Sequence, residues 1–277
     1  MTLMSFIMEP LQHEFMVRAL ASAIIIGISC AVFSCFLILK GWSLMGDAVS
    51  HAVLPGLALS YLFGIPLGVG AFGAGLVCAF GTGFIKANSR IKEDAILGIV
   101  FSGMFALGLV MLTKIETDIH LMHVLFGNVL GTSYSELMES CIIGLSSALI
   151  LIIKRREFEL YCFDPTHAQT SGLRVKWIHF GLLALLSLTI VSALKTAGII
   201  LVVAMLIAPG ASAFLVCRTL DRMMIVAVMV SVVSCLLGTL LSYHFDADTA
   251  PFIVIIQTLF FIVFAFISNF SKRLNWA

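Results

Sequence analysis

Asp47 and His51 stand four residues apart in an otherwise apolar stretch that runs from Gly41 to Gly56. On a helix this spacing puts both side chains on one face, one turn apart. A carboxylate oxygen and an imidazole nitrogen so placed can grip one small cation. The alternative reading makes Asp47 the cap of a helix starting near Ser50, satisfied by a hydrogen bond from His51, and the two roles are compatible. An aspartate inside a membrane costs about 2.5–3.5 kcal/mol on insertion scales, so a ligand or a partner has to offset it.

A second group lies in the longest polar connection: Phe163-Asp164-Pro165-Thr166-His167-Ala168-Gln169-Thr170-Ser171-Gly172-Leu173. Asp164 before Pro165 reads as an N-cap followed by the first helical residue, and Gly172 reads as the stop. The pattern predicts a short two-turn helix, either shaped to dock on a soluble partner or simply a capped surface helix. A third group, Asp118, His120 and His123 followed by Gly127 and Asn128, falls in another polar connection. It can receive a metal from an external carrier, or it consists of solvated loop side chains. His13, His167, His179 and His244 lie at span ends or in loops without a partner the sequence identifies. Pro209 should kink or break the span that holds it, through function or through packing alone.

The elements that position these groups are membrane helices. Of 277 residues 61% are hydrophobic and 11% charged, with a mean hydropathy of +1.12, whereas a soluble domain carries about 25% charged residues. Crossing the hydrocarbon core takes about 20 mostly apolar residues. Eight clear runs meet that need: Phe15–Leu39, Pro66–Ile85, Ala95–Thr113, Leu137–Ile153, Trp177–Leu194, Gly198–Cys217, Met223–Tyr243 and Phe252–Asn269. A ninth segment, Asp47–Gly64, is interrupted by Asp47, His51, Pro55 and Gly56. It is either a full span or a broken, re-entrant helix, tolerated only where protein or a water-filled cavity surrounds it. The expected fold is therefore an all-α polytopic bundle of eight or nine transmembrane segments. It forms one domain over residues 1–277, with a short cytoplasmic segment at 154–176.

Lys and Arg orient the bundle. With nine spans and the N-terminus outside, Lys40, Lys86, Arg90, Lys92, Lys154, Arg155, Arg156, Arg174, Lys176, Arg218, Arg222, Lys272 and Arg273 are inside, and Arg18, Lys114 and Lys195 are outside. If 47–64 is re-entrant, Arg18 and Lys40 exchange sides and the balance is unchanged, so the positive-inside rule leaves the first two segments open. In both cases the C-terminus and residues 154–176 are cytoplasmic, while 114–136 and 244–251 are on the outer side.

Several classes are excluded or disfavoured. A net charge of +1 recommends no nucleic acid as partner. Gly-Lys never occurs, so the phosphate-cradling loop of an ATPase is missing and any ATP must be bound by another chain. Residues 1–14 hold no Lys or Arg, so no cleaved signal peptide is expected. The seven cysteines, Cys30, Cys35, Cys78, Cys141, Cys162, Cys217 and Cys235, contain no CxxC and lie mostly in apolar runs. They read as buried thiols rather than disulfides or metal ligands. His13-Glu14 is not followed by a second His, so an intramembrane metalloprotease lacks its motif. Glycine is dense from Gly64 to Gly75 and again at Gly81 and Gly83, which suits close helix packing within one subunit or at a subunit interface.

Taken together, five ordered motifs resemble the permease subunits of bacterial manganese, iron and zinc ABC importers, over nearly the whole chain. They are Gly-Trp-Ser-Leu-Met-Gly-Asp-Ala-Val-Ser-His-Ala-Val-Leu-Pro-Gly at 41–56, Lys-Glu-Asp-Ala-Ile-Leu-Gly-Ile-Val-Phe at 92–101, Leu-Phe-Gly-Asn-Val-Leu-Gly at 125–131, Phe-Asp-Pro-Thr-His-Ala at 163–168 and Val-Val-Ala-Met-Leu-Ile-Ala-Pro at 202–209. The resemblance implies a type II ABC importer permease of the bacterial inner membrane. Such a subunit dimerises with itself or with a homologous permease, is flanked by two ATP-binding ABC subunits, and receives metal from an extracytoplasmic binding protein. It also implies that Asp47 and His51 are in the translocation path. Asp164, Pro165, Thr166, His167, Ala168, Gly172 and Leu173 would belong to the ATPase-coupling helix. Ala208 and the outer loop vary enough that no role carries over there.

No tightly bound cofactor is expected. The transported ion would be Mn(II), Fe(II) or Zn(II), all of which an Asp and His donor set accommodates. A secondary transporter driven by an ion gradient shares the composition and the Asp47–His51 pair but has no use for a docking helix. A non-transporting assembly factor is a further alternative.

Overall fold

The computed structural model describes residues 8–10, 12–114, 127 and 129–274. The regular elements are helices: α1 (Glu14–Lys40), α2 (Met45–Ala52), α3 (Leu54–Phe63), α4 (Leu67–Asn88), α5 (Glu93–Lys114), α6 (Tyr134–Ile153), α7 (Arg155–Phe163), α8 (Pro165–Thr170), α9 (Val175–Val216), α10 (Leu220–Phe245) and α11 (Thr249–Leu274). Among the described residues, seven of these, namely α1, α4, α5, α6, α9, α10 and α11, are long and apolar enough to cross a membrane.

The N-terminal span α1 is the centre of the bundle, packed against α6, α9 and α10. Small residues make that possible: Ala19, Ala23, Cys30, Ala31 and Cys35 are almost fully buried. A methyl group on Gly27 would sit 3.0 Å from Cys235 Sγ of α10, and one on Gly144 of α6 would sit 2.8 Å from Ser29 Oγ. Gly210 of α9 leaves room for the Ser34 backbone in the same way. Interior hydroxyls mostly bond within their own helix, as in Ser22 to the Arg18 carbonyl, Ser29 to Ile25, Thr82 to Cys78, Thr189 to Leu185, Ser212 to Ala208 and Ser234 to Val230. Large apolar side chains such as Ile99, Leu107 and Val110 of α5, and Ile255, Leu259 and Phe266 of α11, face outward, as lipid contact requires.

The helix α9 is longer than any expected span and merges two of them, Trp177–Leu194 and Gly198–Cys217. A straight helix of 42 residues would reach about 63 Å, twice a hydrocarbon core of about 30 Å. Both of its ends nevertheless meet α7, an element of nine residues. His179 is 2.6 Å from Tyr161 near one end, and Asp221, just past the other, is 2.8 Å from Arg155. The two limbs therefore fold back on each other, and the reversal is at Gly198, where φ 73° and ψ 169° belong to a region open to glycine alone. Of the kink or break expected at Pro209 the break is absent, and the departure at Gly198 falls at the expected boundary between Trp177–Leu194 and Gly198–Cys217. The backbone stays helical through Pro209, and the departure is eleven residues earlier, because a proline ring can be absorbed in a helix whereas these dihedrals cannot.

The ambiguous segment 47–64 is two short helices abutting at Val53. Pro55 explains the break: it has no N–H to give to the His51 carbonyl four residues back, and that carbonyl accepts from Val53 N–H instead. Trp42 at the start of this segment touches His179 beside α7. Gly68, just past its end, lies against Lys195 and Glu139 beside the Gly198 reversal. The segment thus runs the length of the bundle rather than dipping in and returning.

Protein surrounds the break, where Ala52, Val53, Leu54, Pro55 and Gly56 are buried, while Leu59, Tyr61, Leu62 and Phe63 are exposed. α2 packs on α4, α5 and α9, and α3 packs on α4 and α5. The dense glycines supply the approach: Gly56 and Gly70 bring the backbones of α3 and α4 into direct contact, and Gly108 of α5 admits Pro55, whose Cδ would be 2.9 Å from a methyl group there. Gly73 and Gly81, by contrast, face open space. Gly70→Ala should therefore destabilise by about 1–3 kcal/mol through overpacking, whereas Gly73→Ala should not. Thermal unfolding of the detergent-solubilised protein tests the pair, and equal melting temperatures would refute the contact.

Candidate metal site and docking helix

Asp47 lies in the first turn of α2 and His51 in its last. The helix begins at Met45, so Asp47 is inside it and caps nothing at Ser50. Asp47 Oδ1 is 3.3 Å from His51 Nε2, and the side chains are 33% and 26% exposed, so the pair is open on one side only. Around it the helix is anchored by buried Met45, Ala48, Val49 and Ala52. Gly46 leaves space for Leu206 of α9, whose Cδ1 would be 2.9 Å from a methyl group at that position.

Two aromatic rings of α5 orient the imidazole. Phe101 stacks on His51 with centroids 5.9 Å apart, and Phe105, one turn later, meets it edge-on at 5.1 Å. Phe101 closes the motif at 92–101, but neither ring is distinguishable from lipid-facing phenylalanine by sequence alone. The result is a carboxylate in contact with an imidazole braced by two rings, an oxygen and a nitrogen of the kinds that suit a divalent cation of intermediate softness. Among the described residues no third His, Cys, Asp or Glu joins them.

A cavity of about 450 Å³ lies between α3, α4, α6 and α9. It is lined by Leu57, Ala71, Glu136 and Lys195 and reaches down to Val53, two residues past His51. At its rim Lys195 Nζ donates to both Glu139 carboxylate oxygens at 2.8 Å. The sequence singled out neither glutamate, because α6, which carries both, meets Lys195 of α9 only in three dimensions.

The second expected site forms as a helix of six residues. Asp164 caps α8, its Oδ1 accepting from Thr166 N–H at 2.8 Å and His167 N–H at 3.0 Å. The His167 N–H above all, with the Thr166 N–H, holds the Asp164 carboxyl below the usual carboxylate range. Gly172, at φ 82°, ends the turn, and Leu173 N–H returns to the Ala168 carbonyl. Ala168 is the one fully buried residue of α8, while Pro165, Thr166, His167, Gln169 and Thr170 are exposed. Most of its surface is thus open.

The other histidines separate. His13 pairs with Tyr243 at 3.2 Å, His179 with Tyr161, and His244 packs edge-on against Tyr243. Asp118, His120 and His123 lie outside the described residues. The seven cysteines are free, and five are buried. In α7, burial pushes the Cys162 thiol up to about 12, which makes it inert at neutral pH.

Comparison with known proteins aligns the chain almost end to end. The ABC 3 transport family matches residues 12–268. The chelated iron transport system membrane protein YfeD of Yersinia pestis is 57% identical over 273 residues, covering 99% of this chain and 92% of that protein. The manganese transport system membrane protein MntB of Synechocystis sp. is 48% identical over 258 residues, covering 93% and 84%. Among solved structures, a chain of PsaBC from Streptococcus pneumoniae in complex with Fab superposes with a TM-score of 0.85 at 35% identity, covering 95% of each chain.

The cap of α8 can be tested on its own. A carboxyl held below its unfolded value stabilises at pH above that value and loses its contribution only as pH falls through the folded one. Amide hydrogen exchange at Thr166 and His167, corrected for intrinsic rate, should therefore show protection that is constant from about pH 8 to about pH 5. Asp164→Ala should remove it, and retained protection in that variant would exclude the cap.

Proposed function

Because the chain belongs to the ABC 3 transport family, we propose that it is the permease subunit of an ATP-driven importer of divalent metal ions, Mn(II) or Fe(II), with Zn(II) within the same donor chemistry. It is a transport subunit and not an enzyme, and ATP hydrolysis belongs to a separate chain. The observation that carries this reading is the Asp47–His51 pair, half-buried on an interrupted helix inside an apolar bundle. Intramembrane ionisable side chains are expensive, and a cation passing them is what offsets the cost.

In this reading the segment 45–63 crosses the bilayer and the two limbs of α9 cross separately, giving nine crossings in the bacterial inner membrane. The N-terminus is outside, and the C-terminus and α8 are in the cytoplasm. Lys40, which donates to the Tyr161 carbonyl at 3.2 Å, supports placing the end of α1 on the same side as α7 and α8. That favours Lys40 inside and Arg18 outside over the arrangement in which they exchange sides. The bundle is of the type II importer kind.

Two donors hold a cation too loosely to retain it, which suits a path from which the ion must leave. A second permease, identical or homologous, brings the same pair to the shared path, so that the ion is gripped by two carboxylates and two imidazoles. An extracytoplasmic metal-binding protein delivers the ion at the Glu136 and Lys195 end. The ATPase dimer engages the exposed surface of α8, and its opening and closing alternates access to the pair. Asp118, His120 and His123 are proposed as first contacts on the outer side.

Uptake of radioactive manganese by cells carrying Asp47→Ala or His51→Ala should fall to the level of a strain without the permease, while the protein stays in the membrane. Wild-type uptake in both variants would sink the assignment. Uptake by the purified chain alone, driven by an ion gradient in vesicles, would instead favour a secondary transporter.

A further inference from the structure

The residues that join α8 to α2 belong to neither the metal pair nor the docking surface. Tyr161 is three residues before Asp164 and 4% exposed. Lys40 Nζ lies 4.0 Å from the centroid of its ring. Its hydroxyl is 2.6 Å from His179 Nδ1. Trp42, 3% exposed, stands edge-on to the same imidazole, with centroids 5.3 Å apart at 76°. Met45 opens α2 three residues further on, with Asp47 in the first turn.

The turn between Lys40 and α2 is stiff. Gly41 takes φ 75°, and Trp42 N–H donates to the Leu37 carbonyl at 2.8 Å, which locks Trp42 to the end of α1. A hydrogen bond, a cation over a ring and an edge-on aromatic contact are all geometry-sensitive, and here they are in series. A displacement of α7 would carry the Tyr161 hydroxyl with it and so bear on the imidazole, on Trp42 and on the start of α2. Contiguous packed side chains of this kind are what carry coupling between distant sites.

We propose that Tyr161, His179 and Trp42 form a linkage that passes movement of the docking helix to α2 and thereby repositions Asp47 and His51. It rests on the importer reading above, and its residues are positioning residues that touch no metal. Tyr161→Phe is the sharp variant, because it keeps the ring beneath Lys40 and removes only the oxygen that meets His179.

The test uses the complete importer, with ATPase and delivery protein, in proteoliposomes, and reads two quantities. One is manganese transported per ATP hydrolysed. The other is the mobility of a nitroxide on Leu44→Cys, a 43% exposed position at the start of α2, before and after trapping with ATP and vanadate. Cys141 and Cys217 are replaced by serine for the labelling. Tyr161→Phe and His179→Ala should leave assembly and ATP hydrolysis intact, lower metal per ATP about tenfold, and abolish the nitroxide response. His179→Asn, which keeps a polar group where Nδ1 stood, should restore both.

A wild-type nitroxide response in Tyr161→Phe and His179→Ala, or uptake that falls only in proportion to hydrolysis, would overturn the linkage. A wild-type complex that moves no manganese but whose nitroxide responds, and stops responding in Tyr161→Phe, would overturn the importer reading and leave the linkage standing.

Discussion

In hydrocarbon no water is present to satisfy a broken helix, so an interruption survives only where protein encloses it. The break at Val53 is such an interruption, and the surrounding packing meets that condition. Helices in a bilayer gain nothing from burying apolar surface against each other, so close backbone approach has to supply the attraction. The contact of Gly56 with Gly70, the fit of Pro55 against Gly108 and the fit of Leu206 against Gly46 bring α4, α5 and α9 onto the broken helix. These contacts seat the helix that carries Asp47 and His51 in protein.

The pair itself is a compromise between holding and releasing. One carboxylate and one imidazole at 3.3 Å, steadied by Phe101 and Phe105, leave most of an ion's coordination sphere unfilled. A complete cage from one chain would trap the ion. In the proposed importer, donors shared between two subunits would make the grip depend on how the subunits stand to each other, a relation that a separate ATPase would change.

Local chemistry was readable in the sequence, whereas anything set by three-dimensional approach was not. Asp164 before Pro165 and Gly172 after Thr170 each have one dominant local role, and α8 forms between them. The four-residue spacing of Asp47 and His51 likewise needed only a helix. The division of α9 was legible as well, since the apolar runs Trp177–Leu194 and Gly198–Cys217 meet at the Gly198 reversal, whereas a break at Pro209 did not form because the backbone there stays helical. Whether 47–64 crosses or returns depended on Trp42 meeting His179 and Gly68 meeting Lys195, contacts between residues more than a hundred positions apart. Tyr161, His179 and Trp42 were invisible as a group for the same reason.

The interior hydroxyls carry one more implication. Ser22, Ser29, Thr189, Ser212 and Ser234 each spend their hydrogen on a carbonyl of their own helix. Such a group fills space like a methyl, is content wherever its helix goes, and ties nothing across the contact. Among the described residues the polar ties that do cross include the Cys235 thiol to the Ala23 carbonyl of α1 at 3.3 Å and Ser140 Oγ to the Ser192 carbonyl at 3.1 Å. Sliding of the helices around α1 is therefore resisted at those points and meets no polar cost at the hydroxyls that bond within their own helix.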